Sequence, residues 1–100
     1  MRVIALSTLK AFWSASPTHA DAIGPGLAWY RETLRADWRT PNDVKAQFAS
    51  ASILRDGRVV FNIAGNKYRL VVWINYAHRV VYIRFIGTHA QYDGIDAQTI

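Results

Sequence analysis

An α+β fold, with helices in the N-terminal half and a small antiparallel sheet in the C-terminal half, is written into three features of this chain. Apolar residues recur at helical spacing as far as about residue 50, then alternate with polar ones. Asp56-Gly57 and Gly65-Asn66, both suited to tight hairpin turns, punctuate the alternating part. The chain has 100 residues, 51% of them hydrophobic and 13% aromatic, which matches one ordered domain spanning 1–100. A domain of that size buries roughly three-fifths of its unfolded surface, so its core is thin.

The elements follow in order. Residues 2–5 suit a short edge strand, and Ser7 is placed to cap a helix carrying Leu9, Phe12 and Trp13 on one side. Pro17 ends that helix. A longer helical pattern covers residues 18–37, with Ile23, Leu27, Tyr30 and Leu34 on one stripe. Gly24-Pro25-Gly26 is expected to break or kink it, with Pro25 opening the second piece. Thr40 followed by Pro41, Asn42 and Asp43 is a helix start, and Val44, Ala46 and Phe48 continue it to about residue 50. Two or three N-terminal helices result, and Trp13, Trp29 and Trp38 belong to their core side.

Strands are predicted over residues 53–54, 58–63, 67–76 and 79–86. A turn at Gly65-Asn66 sets Ile63 opposite Tyr68, Phe61 opposite Leu70 and Val59 opposite Val72. A second turn at Ala77-His78 sets Leu70 opposite Phe85, Val72 opposite Ile83 and Ile74 opposite Val81. All of these are apolar and form the core face. The other face then holds Arg58, Val60, Asn62, Arg69, Val71, Trp73, Asn75, Tyr82, Arg84 and Ile86. Arg58, Trp73 and Tyr82 share one row, and Val60, Val71 and Arg84 the next. A merely solvated face mixes Lys, Glu, Thr and Ser. This one offers arginine, asparagine and aromatic rings without a carboxylate, groups that neutralise phosphates and stack on bases.

Charge points the same way. The net charge is +5, and residues 55–92 carry six basic side chains against the single acid Asp56. Five of the six are arginines, which bind phosphate in bidentate fashion. An anionic partner is expected: RNA, DNA or an acidic protein. The absence of cysteine excludes disulfides, thiolate catalysis and cysteine-ligated zinc. Ser7, Thr8 and Lys10 interrupt the apolar start, so a secretion signal is not expected, and no segment is long and apolar enough to span a bilayer. The cytoplasm is the expected compartment.

After the last strand comes Gly87-Thr88-His89-Ala90-Gln91-Tyr92-Asp93-Gly94. His89 and Tyr92 lie three apart and would project to one side of a helical turn. Both can move protons, yet a histidine near a tyrosine is more often a packing pair. His19, in a helix start, and His78, in a turn, read as solvated residues. With Asp93 they show no metal-ligand spacing, and no metal or other cofactor is expected. Residues 94–100 carry no basic side chain and are expected to add no nucleic-acid contacts.

The block Phe61-Asn62-Ile63-Ala64-Gly65-Asn66-Lys67-Tyr68-Arg69-Leu70, then Tyr82-Ile83-Arg84, then Thr88-His89-Ala90-Gln91-Tyr92-Asp93, resembles the signature of HigB-type toxins of the RelE/ParE superfamily. Trp29, Trp38, Asp43-Val44-Lys45 and Phe48 extend the likeness over most of the chain. The resemblance implies two or three helices packed on a small, curved antiparallel sheet. It implies an mRNA interferase, an endoribonuclease that cleaves mRNA on the translating ribosome and is neutralised by a HigA-like helix-turn-helix antitoxin. ParE-type members of the same superfamily lack RNase activity and act on DNA gyrase, which leaves a non-catalytic binder as the alternative.

Metal-free RNA cleavage needs a base for the 2′-hydroxyl, cations at the phosphate and an acid for the departing 5′-oxygen. On the matching positions Arg69 and Arg84 are cast as the phosphate clamp and His89 as a proton-transfer group. Tyr92 is the second such group or a positioning hydroxyl. Arg58, Asn62, Lys67, Trp73 and Tyr82 are the expected RNA-binding residues, with Trp73 and Tyr82 as stacking platforms. Asp93 either orients His89 or caps the last turn.

Overall fold

The computed structural model describes all 100 residues. Strand β1 (Arg2–Ile4) is followed by helix α1 (Leu6–Ser14), a 3-10 helix (Pro17–Ala22), α2 (Ile23–Arg35) and α3 (Pro41–Gln47). Strands β2 (Ser52–Ile53), β3 (Arg58–Ile63), β4 (Tyr68–Asn75) and β5 (Val80–Thr88) come next, and α4 (His89–Asp93) follows. The order across the sheet is β1-β5-β4-β3-β2.

The sheet is mixed rather than wholly antiparallel. β1 runs parallel to β5, with Arg2 beside Val80 and Ile4 beside Tyr82. Alternation reveals that a segment is extended, but it carries no information on the direction of a partner nearly eighty positions away. β1 does occupy an edge, as expected. A mixed sheet with one parallel edge is a common outcome where helices fill the crossover.

Three helix boundaries depart from expectation. Ala5, not Ser7, is the N-cap of α1, and no side chain caps that end. Ser7 lies exposed inside the first turn. Gly24-Pro25-Gly26 does not break α2; the break falls earlier, where the 3-10 helix ends at Ala22. Pro25 is the third residue of α2, and its missing N–H is one of the four that a helix start leaves unpaired in any case. Gly26 is buried, and a Cβ there would lie 2.8 Å from the Trp13 ring, so the glycine lets α1 approach α2. α3 starts as expected: Thr40 caps it, Pro41 is its first residue, and the Asp43 carboxylate accepts from the Arg39 and Thr40 N–H groups at 2.8 and 3.1 Å. It ends at Gln47, short of residue 50.

The core lies between the helices and one sheet face. Val59, Phe61, Ile63, Tyr68, Leu70, Val72, Ile74, Val81, Ile83 and Ile86 meet Leu9, Trp29, Trp38 and Val44 there. Phe61 sits at its centre, with the rings of Phe48, Trp29 and Trp38 at 5.2, 5.4 and 6.1 Å. The β3–β4 register is the expected one throughout.

The β4–β5 register holds from Asn75 to Val72 and then shifts. Val72 faces Ile83, but Val71 faces Phe85 and Leu70 faces Ile86. Arg84 is the extra residue of a β-bulge. One added residue inverts the alternation beyond it. Hence Ile86 is a core residue and Phe85 is on the outer face, the reverse of the uninterrupted ladder, and Phe85 takes the place expected for Arg84 in the row of Val60 and Val71.

That outer face is not bare. Residues 94–100 fold back over it, and Ala97 packs on Val60 and Val71 with Leu54, Phe85, Tyr92, Ile95 and Ile100 around them. Val71 is wholly buried by this second, smaller cluster. Gln98 fastens the segment: its Oε1 accepts from the Arg55 N–H at 2.8 Å and its Nε2 donates to the Arg55 carbonyl at 2.6 Å.

Candidate functional site

Two groups of polar and aromatic side chains flank the small cluster on the outer face. The first stands where β4 begins and β5 ends. Arg69 pairs with Asn62 on one side and Gly87 on the other. Its guanidinium donates to Asn66 Oδ1 at 2.8 Å and lies 5.8 Å from the centroid of the Tyr92 ring. Asn62 donates weakly to the Ser50 carbonyl at 3.5 Å.

α4 is held in place by a capping box. Thr88 Oγ1 accepts from the Gln91 N–H at 3.2 Å, and Gln91 Oε1 accepts from the Thr88 N–H at 2.9 Å. Gly87 makes room for it, since a Cβ there would come within 2.5 Å of the Phe85 ring and 2.8 Å of Gln91 Oε1. His89 is the first residue of α4, and its Nε2 is shielded from solvent without a hydrogen-bond partner. Tyr92 is half-buried one turn on. Asp93 is exposed and makes no hydrogen bond to His89.

The second group lies farther along the strands. Arg58, Trp73 and Tyr82 form one row, as the sequence predicts. Trp73 and Tyr82 stack with centroids 5.1 Å apart, and the exposed Arg84 has its guanidinium carbon 5.9 Å from the Tyr82 centroid. Arg58 donates to the Ile100 main-chain oxygen at 2.8 Å, so the folded-back segment takes up its charge-bearing end. Gly57, at φ +79°, lies under the Trp73 indole; a Cβ there would be 2.7 Å from the Ile74 carbonyl oxygen and 3.0 Å from Trp73 Nε1.

Arg69 and Arg84 therefore lean on different rings, Tyr92 and Tyr82, on either side of Val71 and Phe85. Four residues of β4 separate the Arg69 and Trp73 rows, roughly 13 Å of strand. Lys67 turns away from both groups. Its ammonium is ion-paired with Asp21 of the 3-10 helix, whose carboxylate also accepts from the Tyr68 hydroxyl. The Lys67 hydrogen bond, then that of Tyr68, holds the Asp21 carboxyl below its ordinary range. In return Asp21 raises the ammonium of Lys67 and the phenol of Tyr68.

His78 is exposed in its turn, as read. His19 is not simply solvated: its ring stacks on Phe12 with centroids 4.2 Å apart, and Nδ1 lies 3.2 Å from the Phe12 carbonyl oxygen. Gln91, Asn66 and Phe85 were given no role at the site from the sequence. The pattern Thr88-x-x-Gln91 is itself a capping-box signal and could have revealed the first. No three His, Asp or Glu side chains converge as a metal would require.

The sequence model of the HigB toxin family, described as the RelE-like toxic component of a toxin–antitoxin system, matches residues 25–95. This chain belongs to the HigB toxin family. The match covers both groups just described. The mRNA interferase toxin HigB of Escherichia coli strain K12 is 28% identical over 95 residues, covering 93% of this chain and 88% of that protein. The mRNA interferase HigB of Shigella flexneri matches to the same extent. The mRNA interferase HigB of Escherichia coli O6:H1 is 27% identical over 66 residues, 64% of each chain. As a HigB-family toxin, the chain has an antitoxin as its counterpart. No helix is long and apolar enough to cross a membrane.

Proposed function

We propose that this chain is the toxin of a type II toxin–antitoxin pair and a metal-independent endoribonuclease that cleaves mRNA in the cytoplasm, on the translating ribosome. One observation carries the reading: Arg69, Tyr92 and the helix start bearing His89 meet at one corner of a sheet face that also presents Trp73, Tyr82 and Arg84. Its partners are mRNA, the ribosome and a helix-turn-helix antitoxin of the HigA kind. The names of the curated relatives support the same activity.

The chemistry is transfer of the phosphate from its 5′-oxygen to the neighbouring 2′-oxygen. A base takes the 2′-hydroxyl proton, the 2′-oxygen bonds to phosphorus, and the 5′-oxygen leaves with a proton from an acid. The products are a 2′,3′-cyclic phosphate and a 5′-hydroxyl. Arg69 supplies positive charge to the crowded phosphate, where such stabilisation is commonly the largest contribution. His89, with an unpartnered Nε2, is one proton-transfer group. Tyr92 is the other, or positions the phosphate through its hydroxyl. Arg84 engages a phosphate beside the base that stacks on Trp73 and Tyr82. Arg58 and Asn62 stand on β3 beside the two groups, as further RNA-binding residues.

Expression of the wild type and of a His89→Ala, Tyr92→Ala double variant, with mapping of mRNA 5′ ends, tests the reading. New 5′ ends from the wild type alone support it. Equal cleavage by both removes His89 and Tyr92 from the reaction. No cleavage by the wild type, with or without ribosomes, removes the enzyme. Growth arrest that survives the double substitution, with loss of DNA supercoiling, identifies the ParE-like alternative.

A further inference from the structure

Lys67 lies two positions before Arg69, so simple alternation would point both toward the RNA-facing side. Its ammonium instead reaches Asp21, on the helical side of the molecule. The turn that lets it do so is conformationally costly. Ala64 and Gly65 both have positive φ, +56° and +67°, and the Lys67 N–H closes the turn on the Ala64 carbonyl at 3.2 Å. A left-handed alanine persists where its surroundings over-determine it. Asp21 is the restraint on hand. It accepts from Lys67 at the end of the turn and from Tyr68 at the start of β4. The Tyr68 hydroxyl also lies 3.3 Å from the Thr18 carbonyl, which ties the same 3-10 helix down a second time.

What the restraint holds is the corner carrying the site. Within the turn, Asn66 Oδ1 accepts from the Arg69 guanidinium at 2.8 Å. Across the sheet, Tyr68 pairs with Thr88, the residue that caps α4 immediately before His89. One carboxylate on the helical layer thus grips the two residues from which Arg69 and the α4 start take their positions.

We infer that Asp21 is a positioning residue for the reaction, acting through a latch with Lys67 and Tyr68 that sets Asn66 and hence the Arg69 guanidinium against Tyr92. The inference rests on the endoribonuclease reading for its kinetic test, but not for its structural one. Lys67, on this view, is a strut of the site rather than a ligand of RNA. A half-exposed ion pair contributes little to stability by itself. The latch therefore acts on geometry more than on folding.

The test is cleavage of a defined RNA by purified wild type, Asp21→Ala, Lys67→Ala and the double variant, each also made with Arg69→Ala. With the latch, either single substitution lowers kcat roughly tenfold or more while KM changes little, because small misplacements of a reacting group are costly. The double variant is no worse than either single, and in the Arg69→Ala background Asp21→Ala costs nothing further. A thermal midpoint nearly unchanged separates positioning from folding. If Lys67→Ala raises KM and flattens the salt dependence while Asp21→Ala does neither, Lys67 binds RNA and the latch is overturned. Hydrogen exchange of the Lys67 and Arg69 amides in Asp21→Ala is the arm independent of activity. Faster exchange at both supports the latch, and unchanged exchange overturns it even where the wild type proves to cleave no RNA.

Discussion

The guanidinium of Arg69 and the phenol ring of Tyr92 face each other at 5.8 Å, one presented by β4 and the other by the short helix after β5. Strand pairing brings their backbones close, because Arg69 lies opposite Gly87 and α4 begins two residues later. A cation beside a proton-bearing ring suits the phosphoryl transfer to a 2′-oxygen proposed for this chain.

Arg69→Ala is expected to slow RNA cleavage by about a hundred- to a thousandfold, the usual cost of removing one charge-stabilising donor from a reacting phosphate. Arg69→Lys recovers only part of it, since an ammonium cannot bond Asn66 and phosphate in the same plane. Single-turnover rates with saturating protein measure both. A loss confined to KM would show that Arg69 only gathers substrate.

Gly57→Ala is expected to destabilise the protein by about 1–3 kcal/mol, through a left-handed φ and a clash with backbone. The added Cβ meets the Ile74 carbonyl oxygen at 2.7 Å and must also push the Trp73 ring from Tyr82. Urea denaturation gives the first effect. Tryptophan fluorescence on titration with a short oligoribonucleotide gives the second, as weakened binding.

Ala97→Asp places a carboxylate against Val60 and Val71 and lifts residues 94–100 from the outer face. Re-exposing those side chains is expected to cost on the order of 2 kcal/mol. Protease sensitivity confined to the last residues, with a lowered urea midpoint, is the expected result. An unchanged midpoint would mean that the second cluster adds nothing to the fold.

Acid acts on the Asp21 latch with a definite sign. The carboxyl is held below its ordinary value of 3.8, first by the Lys67 hydrogen bond, so its contribution is present above that value and is lost as pH falls through the lower folded-state value. Lys67 and Tyr68 are raised above 10.5 and 10.0, so their contributions are present below those values and are lost as pH rises through the higher folded-state ones. The difference in urea midpoint between wild type and Asp21→Ala is therefore expected to be small, flat from about pH 5 to 9, and to shrink below about pH 4. A difference that does not shrink at all on acidification would show that the carboxylate charge is not what closes the latch.

Much of the sheet could be read without coordinates because two independent signals coincide there. Alternation from Val59 to Ile63 and from Tyr68 to Ile74 assigns the faces, and Gly65-Asn66 assigns the register between them. The row of Arg58, Trp73 and Tyr82 follows from those two facts. The bulge does not. In Tyr82-Ile83-Arg84-Phe85-Ile86 either Phe85 or Ile86 can fill the core, and only the packing around Leu70 selects Ile86. Nor does alternation reveal β1 beside β5, since that contact joins the two ends of the domain. Lys67 misled for a different reason: a turn residue is free of the strand's alternation, and its partner, Asp21, lies 46 positions away on another layer. The last residues looked idle because they carry no basic side chain where a polyanion-binding surface was sought. Ile95, Ala97 and Ile100 were their message.

Arg84 stands apart in the construction of the sheet. Excise it, and Ile83 and Phe85 become neighbours in an unbroken ladder in which each keeps the partner it already has, Val72 and Val71. No apolar contact of the core asks for this residue, and no backbone pairing would be lost with it. A surplus position that the architecture could shed, and that bears an exposed cation above a stacked pair of rings, answers to whatever the surface touches rather than to the fold beneath it.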